Sequence, residues 1–384
     1  MAAELPESAE MVIVGGGAVG CSLAYHLARE GRRPLLLERA ELGAGSTGRC
    51  AGGIRQQFST TANVRVGMLS RRLLERFEDE VGTSADFRQI GYLMLASGAE
   101  QAAEFASNVS LQQEAGLADV RLLSIAEAGE LVPELNLEGL SAASWCPSDG
   151  LAGPNEVTGG YAMAARRHGA VVCEGVTVQA VERSADRVIA VRAEGSRVAT
   201  ECVINCAGPH AAAVGAMAGV EVPVQPYRRH LFLTEPFALS RPVPFTVDMR
   251  SSFYFHPEGA GLLLGMSDPA EPPSFDTSVA FDFLEHLVEH ASERVPVLAE
   301  TTIRSGWAGL YEVSPDHQAI VGESDQLPGL WLCCGFSGHG FMQAPAMGML
   351  LAQVLCHRVP DLDLSAYDPA RFSRGDLRPE TAVI

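Results

Sequence analysis

The chain has 384 residues, 47% of them apolar, and a formal net charge of −19 at pH 7; this size suits a globular protein of two domains. The negative charge argues against nucleic acid or an anionic membrane as the main partner, and no apolar stretch is long enough to span a bilayer. All 28 residues counted as Lys or Arg are arginines, which excludes mechanisms that need lysine, such as Schiff-base chemistry or a Walker A site.

The first predicted elements are a strand over 11–14, a helix over 18–30 and a second strand over 34–39. The turn between the first strand and the helix reads Gly15-x-Gly17-x-x-Gly20, a spacing that lets a pyrophosphate approach the backbone at a helix N-terminus. Glu38 ends the second strand, where a carboxylate binds ribose hydroxyls and disfavours a 2′-phosphate. The pattern predicts binding of NAD or FAD; the alternative is a packing turn between helix and strand.

The rest of the chain predicts further helices and sheets. In chain order we expect helical stretches over 65–80 and 98–131 with breaks at Gly82, Gly116 and Pro133, and a small β-meander over 171–206. An antiparallel sheet lining a cavity is expected over 221–270 and an amphipathic helix over 277–295. Residues 330–356 repeat the opening pattern of strand, glycine-rich turn and helix. Two such turns at opposite ends of the chain predict one ligand-binding fold to which both ends contribute.

Five ordered segments carry a resemblance to a known family. They are GGGAVGCSLAYHLAREG with LLLER after it, GAGSTGRCAGGIRQQF (43–58), NCAGPHAAAVG (205–215), SPDHQAIVG (314–322) and GFSGHGFMQAPAMG (335–348). Together they resemble the D-amino-acid-oxidase/sarcosine-oxidase superfamily of FAD-dependent amine oxidoreductases. The run from Gly45 to Phe58 is most similar to the β subunits of heteromeric sarcosine oxidase and dye-linked L-proline dehydrogenase.

The resemblance implies an α/β fold (α+β overall) in which a Rossmann-type FAD-binding domain is interleaved with an antiparallel-sheet substrate domain. Residues 1–84, 146–220 and 306–384 are expected to form the FAD-binding domain, and 85–145 and 221–305 the substrate-binding domain. The residues expected to bind FAD are Gly15, Gly17, Ala18, Val19, Gly20, Glu38, Arg39, Gly45, Ser46, Thr47, Val176, Ala207, Gly208, Gly309, Gly335, Gly338, His339, Gly340, Phe341 and Met342. Backbone amides of the 335–340 turn are expected to stabilise negative charge on the reduced flavin.

Three residues are expected on the substrate side. The resemblance implies that Arg55 pairs with a substrate carboxylate, which a planar guanidinium group binds well; the alternative is a surface arginine. Tyr254 and His256 fall on a strand that reaches over the flavin in the family, so they are expected to contact the substrate. The alternative is that both are ordinary residues of a sheet.

Departures from the family pattern bear on the reaction. Monomeric sarcosine oxidases have lysines where Leu263 and Met342 stand here, and a cysteine that links FAD where Gly309 stands. We therefore expect noncovalent FAD and a dehydrogenase rather than an oxidase, unless a protonated histidine replaces the missing positive charge. The implied reaction is oxidation of a small secondary or N-methylated amino acid, such as sarcosine, dimethylglycine or a proline-like compound, by hydride transfer to flavin N5 giving an imine.

Two alternatives remain open: a flavoprotein subunit for electron relay or assembly, and oxidation of a D-amino acid or 2-hydroxy acid on the same fold. The expected partners are a small amino-acid substrate, an electron acceptor of unknown kind, and either partner subunits or a second copy in a homo-oligomer. Nine cysteines without a C-x-x-C pair and an acidic first segment without signal-peptide features predict a cytoplasmic location and no metal site.

Overall fold

The computed structural model describes residues 5–384, within which the chain forms nineteen strands and ten α-helices. The strands are β1 (Val12–Val14), β2 (Leu35–Leu37), β3 (Gly53–Ile54), β4 (Tyr92–Ser97), β5 (Arg121–Leu123), β6 (Leu140–Cys146), β7 (Gly150–Leu151), β8 (Val171–Cys173), β9 (Val178–Arg183), β10 (Val188–Ala193), β11 (Ser196–Ala199), β12 (Val203–Asn205), β13 (Gln225–Thr234), β14 (Phe245–Asp248), β15 (Phe253–Glu258), β16 (Gly261–Met266), β17 (Ile303–Val313), β18 (Ile320–Glu323) and β19 (Leu330–Cys334). The helices are α1 (Ala18–Arg29), α2 (Thr61–Glu75), α3 (Phe77–Val81), α4 (Gly98–Glu114), α5 (Ile125–Leu131), α6 (Pro154–Arg167), α7 (Ala211–Met217), α8 (Phe281–Arg294), α9 (Gly340–Leu355) and α10 (Arg371–Arg374). None of these helices is long and apolar enough to cross a membrane.

The opening strand–helix–strand unit lies at the centre of a six-stranded sheet with the order β18-β19-β12-β1-β2-β8. The sheet is parallel except for the β18–β19 pair. Ile13 packs into the apolar cluster that contains α1 and α9, while Val12 and Val14 pack into a second cluster on the other face. Both faces are therefore covered, which explains why β1 reads as an unbroken apolar run.

A second, eight-stranded sheet has the order β17-β13-β16-β15-β14-β4-β6-β5. Its pairs are antiparallel except for β14 with β4. The strands β13 to β16 are the antiparallel sheet expected over 221–270, and the expected fold class of a Rossmann-type unit interleaved with a largely antiparallel sheet is confirmed.

Two segments differ from the sequence expectations. The stretch 171–206 is not one meander: β9, β10 and β11 form a three-stranded antiparallel sheet, whereas β8 and β12 join the six-stranded parallel sheet. The helical stretch expected over 98–131 breaks at Gly116 as predicted, with a φ of +109°, but the chain then forms the unexpected strand β5 against β6 before α5 begins.

The predicted division into two domains stays a prediction. Its boundary at 305/306 falls inside β17, which pairs along its length with β13 of the eight-stranded sheet. Residues 1–4, which the prediction assigns to the FAD-binding domain, lie outside the described residues.

Candidate active site

A cavity of about 650 Å³ is lined by both main sheets, a volume typical of ligand and cofactor sites. Nineteen of the predicted site residues line it. They are Gly15, Gly17, Ala18, Val19, Glu38, Arg39, Gly45, Ser46, Thr47, Arg55, Ala207, Gly208, Tyr254, Gly309, Gly338, His339, Gly340, Phe341 and Met342. The cavity therefore brings the two glycine turns and part of the predicted substrate side together.

The glycine turn after β1 is shaped by close backbone contacts. Gly15 has a φ of +111°, and a Cβ atom there would lie 2.4 Å from the carbonyl oxygen of Cys206. At Gly17 a Cβ atom would lie 3.1 Å from Thr47 Oγ1, the atom that accepts a hydrogen bond from the Ala18 amide at 3.1 Å. Helix α1 has no acidic residue in its first turn, so no carboxylate of the helix itself offsets the positive N-terminal end that faces the cavity.

The carboxylate of Glu38 is held at the end of β2. Its Oε2 accepts a hydrogen bond from the Gly16 amide at 2.7 Å, and its Oε1 accepts one from the Ala40 amide at 2.9 Å. Beside it, Arg39 donates to the His210 ring at 2.8 Å. A glycine cradle, a helix N-terminus and a fixed acid fit the adenosine diphosphate portion of FAD.

Three predicted cofactor residues do not line the cavity. A Cβ atom at Gly20 would lie 2.0 Å from the Gly15 carbonyl oxygen, so Gly20 allows the turn to pack against the helix. Val176 is buried in an apolar cluster, and its amide donates to the Glu38 carbonyl oxygen at 2.8 Å. The amide of Gly335 donates to Glu312 Oε2 at 2.9 Å, which makes it unavailable to stabilise charge on a bound flavin.

Glu312 is a cavity residue that the sequence analysis missed. Burial raises the pKa of its carboxyl group to about 7, although hydrogen bonds from the Gly335 and Phe336 amides oppose the rise. The only sequence signal is its place two residues before the SPDH segment. A half-buried acid with a pKa near neutral therefore lies against the 335–340 glycine turn.

An aromatic chamber, formed by Tyr92, Phe245 and Tyr254, lines the cavity on the side of the eight-stranded sheet. The Tyr92 and Phe245 rings stack at 4.1 Å between centroids, and Phe245 and Tyr254 stack at 5.3 Å. A Cβ atom at Gly265 would lie 2.2 Å from Tyr254 Cζ, so this glycine makes room for the ring. Tyr92 and Phe245 were not predicted from the sequence, because only the β4–β14 pairing brings them together.

Arg55 lines the cavity but is only 1% exposed. Its Nη1 donates to the Gln57 carbonyl oxygen, and its Nη2 donates to the Ala382 carbonyl oxygen at 2.7 Å and lies 3.1 Å from His339 Nε2. Burial and the charge of Arg55 hold the pKa of His339 well below its ordinary value, so a neutral His339 accepts this bond. Arg55 is thus held by groups of the chain itself.

His256 does not line the cavity. Its ring is fully buried and stacks on Phe245 at 4.9 Å between centroids. Burial lowers the pKa of His256 to about 4, so it is neutral at pH 7. Neither His256 nor His339 is therefore the protonated histidine that could replace the positive charge of the missing lysines.

The three positions at which the chain departs from the family pattern differ in placement. Met342 and Gly309 line the cavity, whereas Leu263 is buried in an apolar cluster and pairs with Leu233. A Cβ atom at Gly309 would lie 3.1 Å from the Arg49 Cβ. Arg49 therefore limits the space for a larger residue at Gly309.

The last described residues return to the cavity, and Ile384 lines it. Glu380 fixes this segment, because its Oε1 accepts from the Ser59 amide at 2.8 Å and its Oε2 accepts from Asn63 Nδ2 at 2.8 Å. This segment supplies the Ala382 carbonyl oxygen that binds Arg55. No motif in the sequence signals this contact.

Comparisons with known proteins give close matches over almost the whole chain. A family profile described as FAD dependent oxidoreductase (DAO) matches residues 10–354. Mitochondrial sarcosine dehydrogenase of Homo sapiens is 34% identical over 96% of this chain and 42% of that protein. Mitochondrial dimethylglycine dehydrogenase of Rattus norvegicus is 32% identical over 97% of this chain and 46% of that protein.

Among solved structures, L-proline dehydrogenase from P. horikoshii matches with a TM-score of 0.91 and 34% identity, covering 97% of this chain and 100% of that chain. The chain spans less than half the length of the two curated relatives named above.

Proposed function

The chain belongs to the family of FAD dependent oxidoreductases (DAO), and on that premise we propose that it oxidises a small secondary or N-methylated amino acid as a dehydrogenase. One observation carries the proposal: a single cavity joins a dinucleotide cradle at Gly15, Gly17 and Glu38 to the aromatic chamber. The names of the relatives support the substrate class, since they are dehydrogenases of sarcosine, dimethylglycine and L-proline.

FAD, when bound, supplies the acceptor for the two electrons that leave the substrate. The protein itself binds and orients the cofactor and the substrate. The amides at the start of α1 attract the diphosphate, and Glu38 accepts hydrogen bonds from ribose hydroxyls. The turn at Gly338, His339 and Gly340 contributes further contacts to the cofactor.

On the substrate side, we propose that the aromatic chamber holds the amine and its carbon substituents. Aromatic faces bind both apolar groups and ammonium groups, and the buried walls exclude water. The positive charge of Arg55 attracts the substrate carboxylate, and neutral His339 orients Arg55 by accepting its hydrogen bond. His256 acts indirectly, since it supports the Phe245 ring from behind.

The proposal includes noncovalent FAD and electron transfer to an acceptor other than oxygen. Gly309 and Met342 support it, because they line the cavity and offer neither a thiol for a covalent link nor a lysine ammonium. We also propose a cytoplasmic location, which is supported by nine free cysteines, and association with partner subunits or a second copy, which size-exclusion chromatography would detect.

The test is anaerobic bleaching of the purified protein loaded with FAD. We expect sarcosine, dimethylglycine or L-proline to remove the absorbance near 450 nm, and an artificial dye to restore it faster than oxygen does. Bleaching by only D-alanine or lactate would contradict the proposed substrate class. Bleaching that needs an added partner protein would favour an electron-relay or assembly subunit, and a preparation that never binds FAD would contradict the whole proposal.

A further inference from the structure

We propose that Arg229 of β13 binds the substrate carboxylate directly and forms an anion subsite on the eight-stranded sheet, separate from the contacts of Arg55. The inference rests on the proposed function and names the residue that recognises the acid group of its substrate class. Arg229 lines the cavity and is not among the residues predicted from the sequence.

The hydrogen bonds of Arg55 limit what else its guanidinium group can bind. A guanidinium group has five N–H donors in a fixed planar arrangement. In Arg55 both terminal nitrogens already donate to the chain, one to the Gln57 carbonyl oxygen and the other to Ala382 and His339. A carboxylate that bound both terminal nitrogens would have to displace these partners. Arg55 therefore contributes its positive charge to the cavity but offers no free pair of terminal N–H groups for a bidentate bond.

Arg229 makes fewer hydrogen bonds. Within residues 5–384 its Nη1 donates to the Arg228 carbonyl oxygen at 2.8 Å and its Nη2 makes no hydrogen bond, whereas Nη2 of Arg55 is bound to Ala382 and His339. The buried Nε has no hydrogen-bond partner in either arginine. No carboxylate of the described chain lies within ion-pair distance of it, although the neighbouring Arg228 pairs with Glu271 at 3.1 Å and Asp276 at 2.6 Å. A partly buried cation without an acid beside it is costly, and binding an anion removes that cost.

The orientation of Arg229 is fixed by aromatic rings. Its guanidinium carbon lies 5.2 Å from the Tyr311 ring centroid and 5.9 Å from that of Tyr227. Because Nη1 is already bound to the Arg228 carbonyl oxygen, the edge that carries Nε and Nη2 is the one left for two parallel hydrogen bonds to a carboxylate.

The strand register brings this subsite near the aromatic chamber. Arg229 pairs with Gly309 of β17, and two residues further along β13 Leu231 pairs with Gly265 of β16. Gly265 in turn pairs with Tyr254 of β15. Arg229 and Leu231 thus point to the same face of the sheet, and the positive charge of Arg229 partly offsets the rise in the pKa of Tyr254 that burial causes. A carboxylate at Arg229 leaves the amine of the same small molecule on the side of Tyr254.

The experiment measures the binding of a carboxylate that cannot be oxidised. Sodium acetate is titrated by calorimetry into the FAD-loaded wild type, Arg229→Gln and Arg304→Gln, with acetamide as the uncharged probe. Arg304 is the matched control, because it is an exposed arginine on β17, the strand that pairs with β13. We expect Arg229→Gln to weaken acetate binding by roughly tenfold to a hundredfold, to leave FAD content and thermal stability near those of the wild type, and to leave acetamide binding unchanged.

Arg304→Gln should bind acetate like the wild type, and Arg229→Lys should recover only part of the affinity, since an ammonium group cannot form the bidentate pair. Acetate affinity that survives Arg229→Gln but is lost in Arg55→Gln would overturn the inference, as would a wild type that does not bind acetate. A loss of FAD in Arg229→Gln would also overturn it, because Arg229 would then bind the cofactor. Failure of the proposed function is distinguishable: the acetate result would stand, but no amino acid would bleach the flavin.

Discussion

The two ends of the cavity are built in different ways. The dinucleotide end consists of one local unit, β1, α1 and β2, in which glycines and backbone amides form the binding surface. The aromatic chamber consists of side chains from β4 and from the β14–β15 hairpin, and these two parts are far apart in the sequence. A site formed by the backbone can be recognised in the sequence from the spacing of its glycines, whereas a site formed by side chains depends on the pairing of distant strands.

The two ends also differ in electrostatics. At the dinucleotide end the attraction for an anion comes from the N-terminus of α1, whose first turn contains no acidic residue. On the side of the eight-stranded sheet it comes from whole charges, since Arg55 and Arg229 both line the cavity. A change at one end should therefore affect the cofactor, and a change at the other should affect the substrate.

The largest effect is expected from Gly15→Ala at the dinucleotide end. The new Cβ atom would lie 2.4 Å from the Cys206 carbonyl oxygen at a φ of +111°, so the turn must open. We expect FAD affinity to fall by roughly a hundredfold or more, since each 1.4 kcal/mol is a factor of ten. The measurement is FAD bound per chain after dialysis. Gly31→Ala is the control, because Gly31 has a φ of +80° with open space around it; equal losses in both variants would contradict the prediction.

A smaller effect is expected from Gly265→Ala in the aromatic chamber. The added Cβ atom would lie 2.2 Å from Tyr254 Cζ, so the ring must move at a cost of about 1–3 kcal/mol. We expect normal FAD content but a KM for the amino acid raised by roughly tenfold. Gly259→Ala is the control, since Gly259 lies in open space at the turn before β16. An unchanged KM together with lost FAD would reverse the assignment of the two ends.

Between the two ends, Glu312→Gln should change how stability depends on pH. Burial raises the pKa of Glu312 in the folded protein to about 7 from an ordinary value of 4.5. The contribution of Glu312 to folding stability is therefore fully present below pH 4.5 and is lost as the pH rises through 7. In FAD-free protein, urea unfolding at pH 5 and pH 8 should show that Glu312→Gln loses less stability over this range than the wild type, by on the order of 1–3 kcal/mol.

The control for this prediction is Glu289→Gln, an exposed position on α8. Burial also raises the pKa of Asp149, to about 6, so Asp149 lowers the stability at pH 8 relative to pH 5 in every variant. Only the difference between a variant and the wild type is therefore informative. Parallel profiles for Glu312→Gln and the wild type would show that Glu312 does not titrate in this range.

The smallest effect is expected from Thr47→Val. It removes the hydroxyl group that accepts the Ala18 amide at 3.1 Å, a loss of about 1 kcal/mol that should weaken FAD binding by a few-fold. Thr60→Val is the control: Thr60 Oγ1 accepts the Asn63 amide at the start of α2, outside the cavity lining. It should lower the melting temperature and leave FAD affinity unchanged; similar FAD affinities in the two variants would contradict the prediction.

Much of the dinucleotide end was predictable from the sequence, for a physical reason. A turn that admits a diphosphate needs a positive φ and the absence of side chains, so Gly15 is restricted to glycine by its φ of +111°. At Gly17 a Cβ atom would lie 3.1 Å from Thr47 Oγ1. The position of the acid Glu38 at the end of the second strand is predictable because it is set by the length of one strand–helix–strand unit. The family inferred from five ordered segments is confirmed by the profile match to residues 10–354.

The aromatic chamber and the surroundings of Arg55 were decided by the tertiary structure. His256 and Tyr254 belong to one strand and differ by two residues, yet only Tyr254 lines the cavity, because the Phe245 ring from β14 stacks on His256. The Ala382 carbonyl oxygen reaches Arg55 from more than 300 residues away. Burial, stacking and pairing between distant segments carry no local periodicity, so they leave no pattern that a sequence alone can display, whereas backbone geometry does.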